Sequence, residues 1–277
     1  MLRQRVLTAL ALGPLVMAAI VLLPLAWLEL FIGVVVTLAA LEWGGIMQLP
    51  GAVARGVFAA VIAALIGLTA LAWRTLPQGT AGVMLSVGAV WWVVAVAWVL
   101  AYPAGLPPGR PMRGRETLAG VCMLVPAWFA VVALRVQAAT GAWLLLFLLV
   151  IIWAADIAAF FAGRAVGRHK MAPHVSPGKT WEGAVAGVAA SSLIAAACAL
   201  PLGVRAGAIP AFVALCAVVA SFSIVGDLAV SMFKRHARLK DSGTLLPGHG
   251  GLLDRIDSLT AAAPAFLLGI KVLGLFR

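Results

Sequence analysis

Apolar residues run along this chain in long, nearly unbroken blocks separated by short polar breaks. A bilayer core about 30 Å thick is crossed by about 20 helical residues. Nine blocks reach that length: 6–25, 27–47, 53–73, 81–101, 117–137, 141–162, 181–201, 207–230 and 257–275. The pattern predicts an all-α, polytopic integral membrane bundle of about nine transmembrane helices. The first block follows Arg3 and Arg5 and so has the opening of a signal peptide. It is long, lacks a convincing cleavage site and is followed at once by another block, so it reads as a retained helix.

Composition narrows the picture further. The chain has 277 residues, of which 64% are hydrophobic and 10% charged, whereas a soluble domain carries about 25% charged residues. One soluble core could not hide so much apolar surface. An ordinary soluble enzyme, a disordered chain and a disulfide scaffold are excluded. Cys122, Cys198 and Cys216 all lie inside apolar blocks. They have no CxxC or ligand spacing and read as small buried hydrophobes.

The net charge of +11 does not imply nucleic acid, because the cations sit mainly between apolar blocks. There they set topology and meet anionic membrane lipids. With a cytoplasmic N-terminus, only Arg74, Arg135, Arg205, Lys271 and Arg277 fall outside; the other 15 of the 20 Lys and Arg face the cytoplasm. The positive-inside rule therefore favours N-in, C-out with nine spans.

The nine acidic residues divide the chain more sharply, since six of them (Asp156, Glu182, Asp227, Asp241, Asp254 and Asp257) fall between 156 and 257. Residues 1–137 read as a scaffold of about five helices, poor in functional groups. Residues 138–277 read as the catalytic region, with cytoplasmic loops 163–180 and 231–256. No internal repeat is visible.

Four segments carry chemistry. In Ser176-Pro177-Gly178-Lys179-Thr180-Trp181-Glu182-Gly183, the Gly-Lys-Thr run imitates the end of a P-loop. Pro173 stands where that motif needs glycine, and no strand is expected before it. Ser176 suits a helix N-cap and Pro177 the first helical position. Free N–H groups there, beside Lys179 and Thr180, would bind an anion; a plain cap with a topology-setting lysine is the simpler alternative.

In the second segment, Asp227, Ser231, Lys234 and Arg235 share a broad helix face. A carboxylate near the membrane boundary needs a cation or a metal. A structural pair with Lys234 or an arginine would also satisfy Asp227. The third segment runs from Lys240-Asp241 through Pro247-Gly248-His249-Gly250-Gly251 to Asp254-Arg255-Ile256-Asp257. Its glycines permit tight turns and close approach to a ligand. Asp254 and Asp257 are three apart at a helix start, and hard oxygens beside cations suit a Mg²⁺-bound polyphosphate. In the fourth, Asp156 lies about two turns inside a span, where a carboxylate is a functional suspect; pairing with Arg164 or Lys179 is the structural alternative.

Taken together, Ser231-Met232-Phe233-Lys234-Arg235, Lys240-Asp241 and the run from Pro247 to Asp257 resemble the signature of the phosphatidate cytidylyltransferases (CDP-diacylglycerol synthases). Asp156…Gly163-Arg164, the Ser176–Gly183 segment and Gly226-Asp227-Leu228 are similar to that family as well. By motif the resemblance covers about residues 150–275. It implies a multi-pass enzyme of the bacterial inner membrane, a homodimer with a cytoplasm-facing cavity. Such an enzyme converts CTP and phosphatidate to CDP-diacylglycerol and pyrophosphate, with Mg²⁺ and K⁺ as a second metal.

Carried over by motif, Asp227 and Asp254 would be the main metal ligands, with Asp257 close by and Asp156 in support. Lys179, Lys234, Arg235 and Lys240 would neutralise phosphates, and Ser176, Thr180, Ser231 and Arg255 would contact substrate. His249, Gly250 and Gly251 would shape the CTP end. Asp241 would orient Lys240 or meet the cytidine. Two other classes fit parts of the pattern. A CTP-dependent lipid kinase would use similar groups, and an ion-coupled transporter could bury Asp156 and Asp227 but has no need of the Gly/His/Asp segment.

Overall fold

A computed structural model of the chain describes residues 2–102, 113–137, 140–245 and 250–275. Among these residues there are nine α-helices: α1 (Leu2–Leu22), α2 (Leu25–Ile46), α3 (Gly51–Thr75), α4 (Pro77–Ala101), α5 (Arg113–Arg135), α6 (Gly141–Val166), α7 (Trp181–Cys198), α8 (Ile209–His236) and α9 (Leu253–Leu273). Each apolar block became one helix. Eight of them, α2 to α9, are long and apolar enough to cross a membrane; the described apolar part of α1, Leu12–Leu22, is shorter. The chain is an all-α polytopic membrane protein.

One helix differs from the rest. Every side chain of α5 from Met123 to Leu134 is buried, as befits a helix that is apolar all round. It packs against α2, α3, α4, α6 and α9 and so forms the axis of the bundle. By contrast α3 shows an apolar outer stripe, Val53, Val57, Val61, Leu68 and Leu71. Such a stripe suits acyl chains.

The region after α5 is held by close backbone approach. The buried residues of α7 are Gly183, Gly187, Ser191 and Ala195, one per turn on a single face. A Cβ on Gly183 would lie 2.7 Å from the Ala159 carbonyl, and one on Gly187 2.7 Å from that of Ala155. Ser191 Oγ donates to the Ile151 carbonyl at 2.8 Å on the same face. Small residues four apart let two membrane helices meet backbone to backbone, and this face seats α7 on α6. Further on, α8 meets α9 at Gly226, where a Cβ would lie 2.5 Å from the Asp257 carbonyl.

The segment between α6 and α7 departs from expectation. It is a β-hairpin, β1 (Lys170–Ala172) and β2 (Ser176–Thr180), antiparallel with Lys170 opposite Thr180 and Ala172 opposite Ser176. Ser176 is therefore not an N-cap, and Pro177 does not open a helix. Gly178-Lys179-Thr180 lies within a strand. The true cap of α7 is Thr180, whose hydroxyl accepts from Gly183 N at 3.1 Å. The hairpin closes onto the helix it precedes: Trp181 N donates to the His169 carbonyl at 2.9 Å, and His169 N donates to Glu182 at 3.2 Å. Proline fits here because the two-stranded sheet is all edge.

Candidate functional site

Three elements bring the cationic and acidic side chains together: the hairpin, the last turns of α8, and the turn leading into α9. Lys179, on β2, reaches α8. Its Nζ lies 2.7 Å from Asp227 Oδ2 and 3.5 Å from the Ile224 carbonyl. Ser231, one turn along α8, donates to Asp227 Oδ1 at 3.1 Å. The expected helix face thus exists, but the cation on Asp227 is Lys179 from the hairpin rather than Lys234.

Lys234 instead meets α9. Its Nζ lies 2.6 Å from Asp254 Oδ1, and both side chains are buried. Asp254 Oδ2 accepts from Ser242 N at 2.9 Å and from Gly251 N at 3.2 Å. Both oxygens of Asp254 are therefore committed within the protein. Gly250, at φ +79°, makes the turn into α9; a Cβ there would lie 3.3 Å from Asp254 Oδ2 and 3.5 Å from the Asp241 Cβ.

Asp257 is buried one turn further along α9 and accepts from Ser258 N at 2.7 Å. It feels the charges of Asp227, Lys234 and Lys179. Asp156 on α6 lies within electrostatic reach of Lys179 and Asp227. Two lysine–carboxylate contacts, with Asp156 and Asp257 nearby, thus make up the site. Among the described residues no three His, Cys, Asp or Glu side chains converge tightly enough to cage a metal by themselves.

Other predicted residues take different places. Arg235 Nε donates to the Val175 carbonyl at 3.1 Å, tying α8 to the hairpin turn. Thr180 is buried and occupied as a cap. Ser176 is half-buried on β2, while Lys240 and Asp241 are exposed on the turn after α8 and Arg255 is exposed on the first turn of α9. His249, with Leu246, Pro247 and Gly248, lies outside the described residues.

One residue of this site was missed. Glu42, near the end of α2, is buried. Its Oε2 accepts from Ser242 Oγ at 2.9 Å and from Leu253 N at 2.8 Å, and its Oε1 accepts from Leu252 N at 3.0 Å. A Cβ on Gly243 or Gly251 would run into this carboxylate. The signal was available in the sequence, since a carboxylate inside an apolar block needs partners.

Comparison with known proteins points one way. Residues 3–273 match the model of the cytidylyltransferase family. The chain is similar to the phosphatidate cytidylyltransferase of Pseudomonas aeruginosa, 45% identical over 96% of this chain and 96% of that protein. It is also similar to that of Haemophilus influenzae, 37% identical over 96% of this chain and 97% of its relative. Its counterpart in Mycobacterium bovis is 30% identical over 98% of this chain and 89% of the relative.

Proposed function

This chain belongs to the cytidylyltransferase family, and from that premise we propose that it transfers the cytidylyl group of CTP to phosphatidate, giving CDP-diacylglycerol and pyrophosphate. The observation that carries the reading is the pair of lysine–carboxylate contacts, Lys179–Asp227 and Lys234–Asp254, set side by side at the end of α8. A phosphate oxygen of phosphatidate attacks the α-phosphorus of CTP. The bond from that phosphorus to the bridging oxygen breaks, and its electrons leave on pyrophosphate.

A phosphate monoester has a second pKa of about 6, so the nucleophile is largely ionised at neutral pH. No general base is needed. The task is to bring anions together and to stabilise the leaving charge, which is the work of positioning and electrostatics. Lys179 and Lys234 are suited to it because each is already aimed by a carboxylate. As phosphates enter, each lysine turns part of its hydrogen-bonding capacity toward them. Arg235, braced on the hairpin turn, and exposed Lys240 add positive charge at the rim.

The donor set suits Mg²⁺. It consists of hard carboxylate oxygens, and Mg²⁺ is bound through one or two carboxylates plus water and substrate phosphates rather than a protein cage. Asp227 and Asp257 would hold it, with Asp156 in support. Asp254, engaged by a lysine and hydrogen-bond donors just as Asp227 is, would share that role while also placing Lys234. When bound, Mg²⁺ supplies neutralisation of the polyphosphate charge. A K⁺ partner would share the same carboxylates.

The charge asymmetry of the loops supports a cytoplasmic site in a bacterial inner membrane, where CTP and a lipid headgroup can both arrive. The homodimer implied by the resemblance belongs to the same reading. The deciding assay uses detergent-solubilised protein, CTP and phosphatidate. Pyrophosphate with a liponucleotide is the expected outcome. CDP with a newly phosphorylated lipid would mean a kinase, and no turnover would leave the transporter class. A cysteine at Thr244, exposed beside the site, should react with a membrane-impermeant reagent from the cytoplasmic side only, in a background lacking the three native cysteines.

A further inference from the structure

We propose that Glu42 is a positioning residue for this reaction: from the scaffold end of α2 it clamps the turn at Ser242 to the start of α9 and thereby fixes the Asp254–Lys234 pair. The proposal rests on the cytidylyl-transfer reading for its kinetic consequence, but its structural half stands separately.

The geometry begins with a deficit. The first N–H groups of a helix lack intrahelical acceptors. At α9 the N-cap position is Leu252, which has no capping side chain. Glu42 supplies the missing acceptors from another helix, taking the Leu252 and Leu253 N–H groups on separate oxygens. A carboxylate at a helix N-terminus also faces the favourable end of the helix dipole.

Ser242 then links two carboxylates. Its hydroxyl donates to Glu42 and its backbone N–H to Asp254. Asp254 takes a second N–H from Gly251 and holds Lys234. Glu42, Ser242, Asp254 and Lys234 therefore form one continuous chain of contacts from the scaffold to the phosphate-binding lysine. The absence of side chains at Gly243 and Gly251 makes room for the Glu42 carboxylate. Loss of Glu42 would leave the turn and the first N–H groups of α9 without their shared acceptor. Lys234 would then be misplaced without any change in its own chemistry.

The test compares Glu42→Ala, Glu42→Gln and Gly251→Ala with the wild type, in two measurements on the full-length protein in detergent. Steady-state kinetics with CTP and phosphatidate is the first. Supporting groups of this kind contribute about 10- to 100-fold to activity. Glu42→Ala is expected to lower kcat by about that factor while the KM for CTP moves less than about threefold, because the lysine is lost mainly to the transition state. Glu42→Gln keeps one acceptor oxygen and should fall between, which separates the clamp from a general loss of fold.

Hydrogen exchange of peptides covering 241–255, against peptides from α3 and α6, is the second measurement. Faster exchange confined to 241–255 in Glu42→Ala and Gly251→Ala supports the clamp. Unchanged kinetics with unchanged exchange would overturn it, as would exchange accelerated equally throughout the bundle. If the wild type makes no liponucleotide at all, the functional reading fails, and the exchange measurement alone still decides whether Glu42 holds the turn.

Discussion

Two carboxylate–cation pairs of the same chemistry sit in different parts of this bundle. Glu29 on α2 meets Arg74 at the end of α3 at 3.0 Å, with the Arg74 side chain 66% exposed. Asp254 on α9 meets Lys234 on α8 at 2.6 Å, with the two side chains 8% and 9% exposed. The first pair has an open cation and one shared contact. The second is sealed, and its carboxylate also holds two backbone N–H groups. An exposed pair is worth about 0–1 kcal/mol, whereas breaking a buried one leaves an uncompensated charge and is strongly destabilising. The difference separates a latch between scaffold helices from a device that aims a lysine.

That contrast can be broken or sharpened by substitution. The largest effect is expected at the buried carboxylates: Asp254→Ala and Asp227→Ala should each lower turnover by at least about 100-fold in protein that still inserts and elutes as a single species. Near-normal turnover at saturating Mg²⁺ in either variant would remove that residue from the site. Next comes His249→Gln. The nucleophile needs no base, so the variant should raise the KM for CTP more than it lowers kcat and should leave the shape of the pH–rate profile intact. Abolished kcat with unchanged CTP binding would make the histidine part of the chemical step.

Lys179→Arg tests positioning on the hairpin side. A guanidinium keeps the charge but not the point geometry, so a loss of about tenfold is expected, and full activity would show that charge alone suffices. The smallest effect belongs to the scaffold pair. Arg74→Ala should leave turnover within about twofold and shift thermal stability little. A large loss there would erase the distinction.

The spans were legible because the apolar period and length of each block allow little else in a bilayer. Boundaries moved outward where polar residues continue a helix, as at Lys234 and Arg235 in the last turn of α8, and inward by two or three residues elsewhere, as where α1 stops at Leu22 and α7 at Cys198. The hairpin was not legible. Strands of three and five residues carry no alternation, and Ser176-Pro177 and Thr180 offer competing helix starts. The cross-strand pairing of Lys170 with Thr180 decides between them, and pairing is not a local property.

The site was legible in its residue types and in the shared face of Asp227 and Ser231. Its pairing scheme was not, because Lys179 reaches Asp227 across 48 positions (227 − 179). Glu42 illustrates the same limit at longer range. Its immediate neighbours in α2 offer a carboxylate no partner; the groups that it holds are in the other half of the chain.

The distance along the chain between Glu42 and Leu253, 211 residues, has a consequence for biosynthesis. At about 5–20 residues per second, roughly 10–40 s separate the emergence of the two groups from the ribosome. Within that interval six helices, α3 to α8, follow while the carboxylate waits for its acceptor role. The contacts that join Glu42, Ser242, Asp254 and Lys234 are then complete only once α9 is in place. A nascent chain stalled before α9 would carry the Glu42 carboxylate inside the bundle without the Leu252 and Leu253 N–H groups that it accepts from.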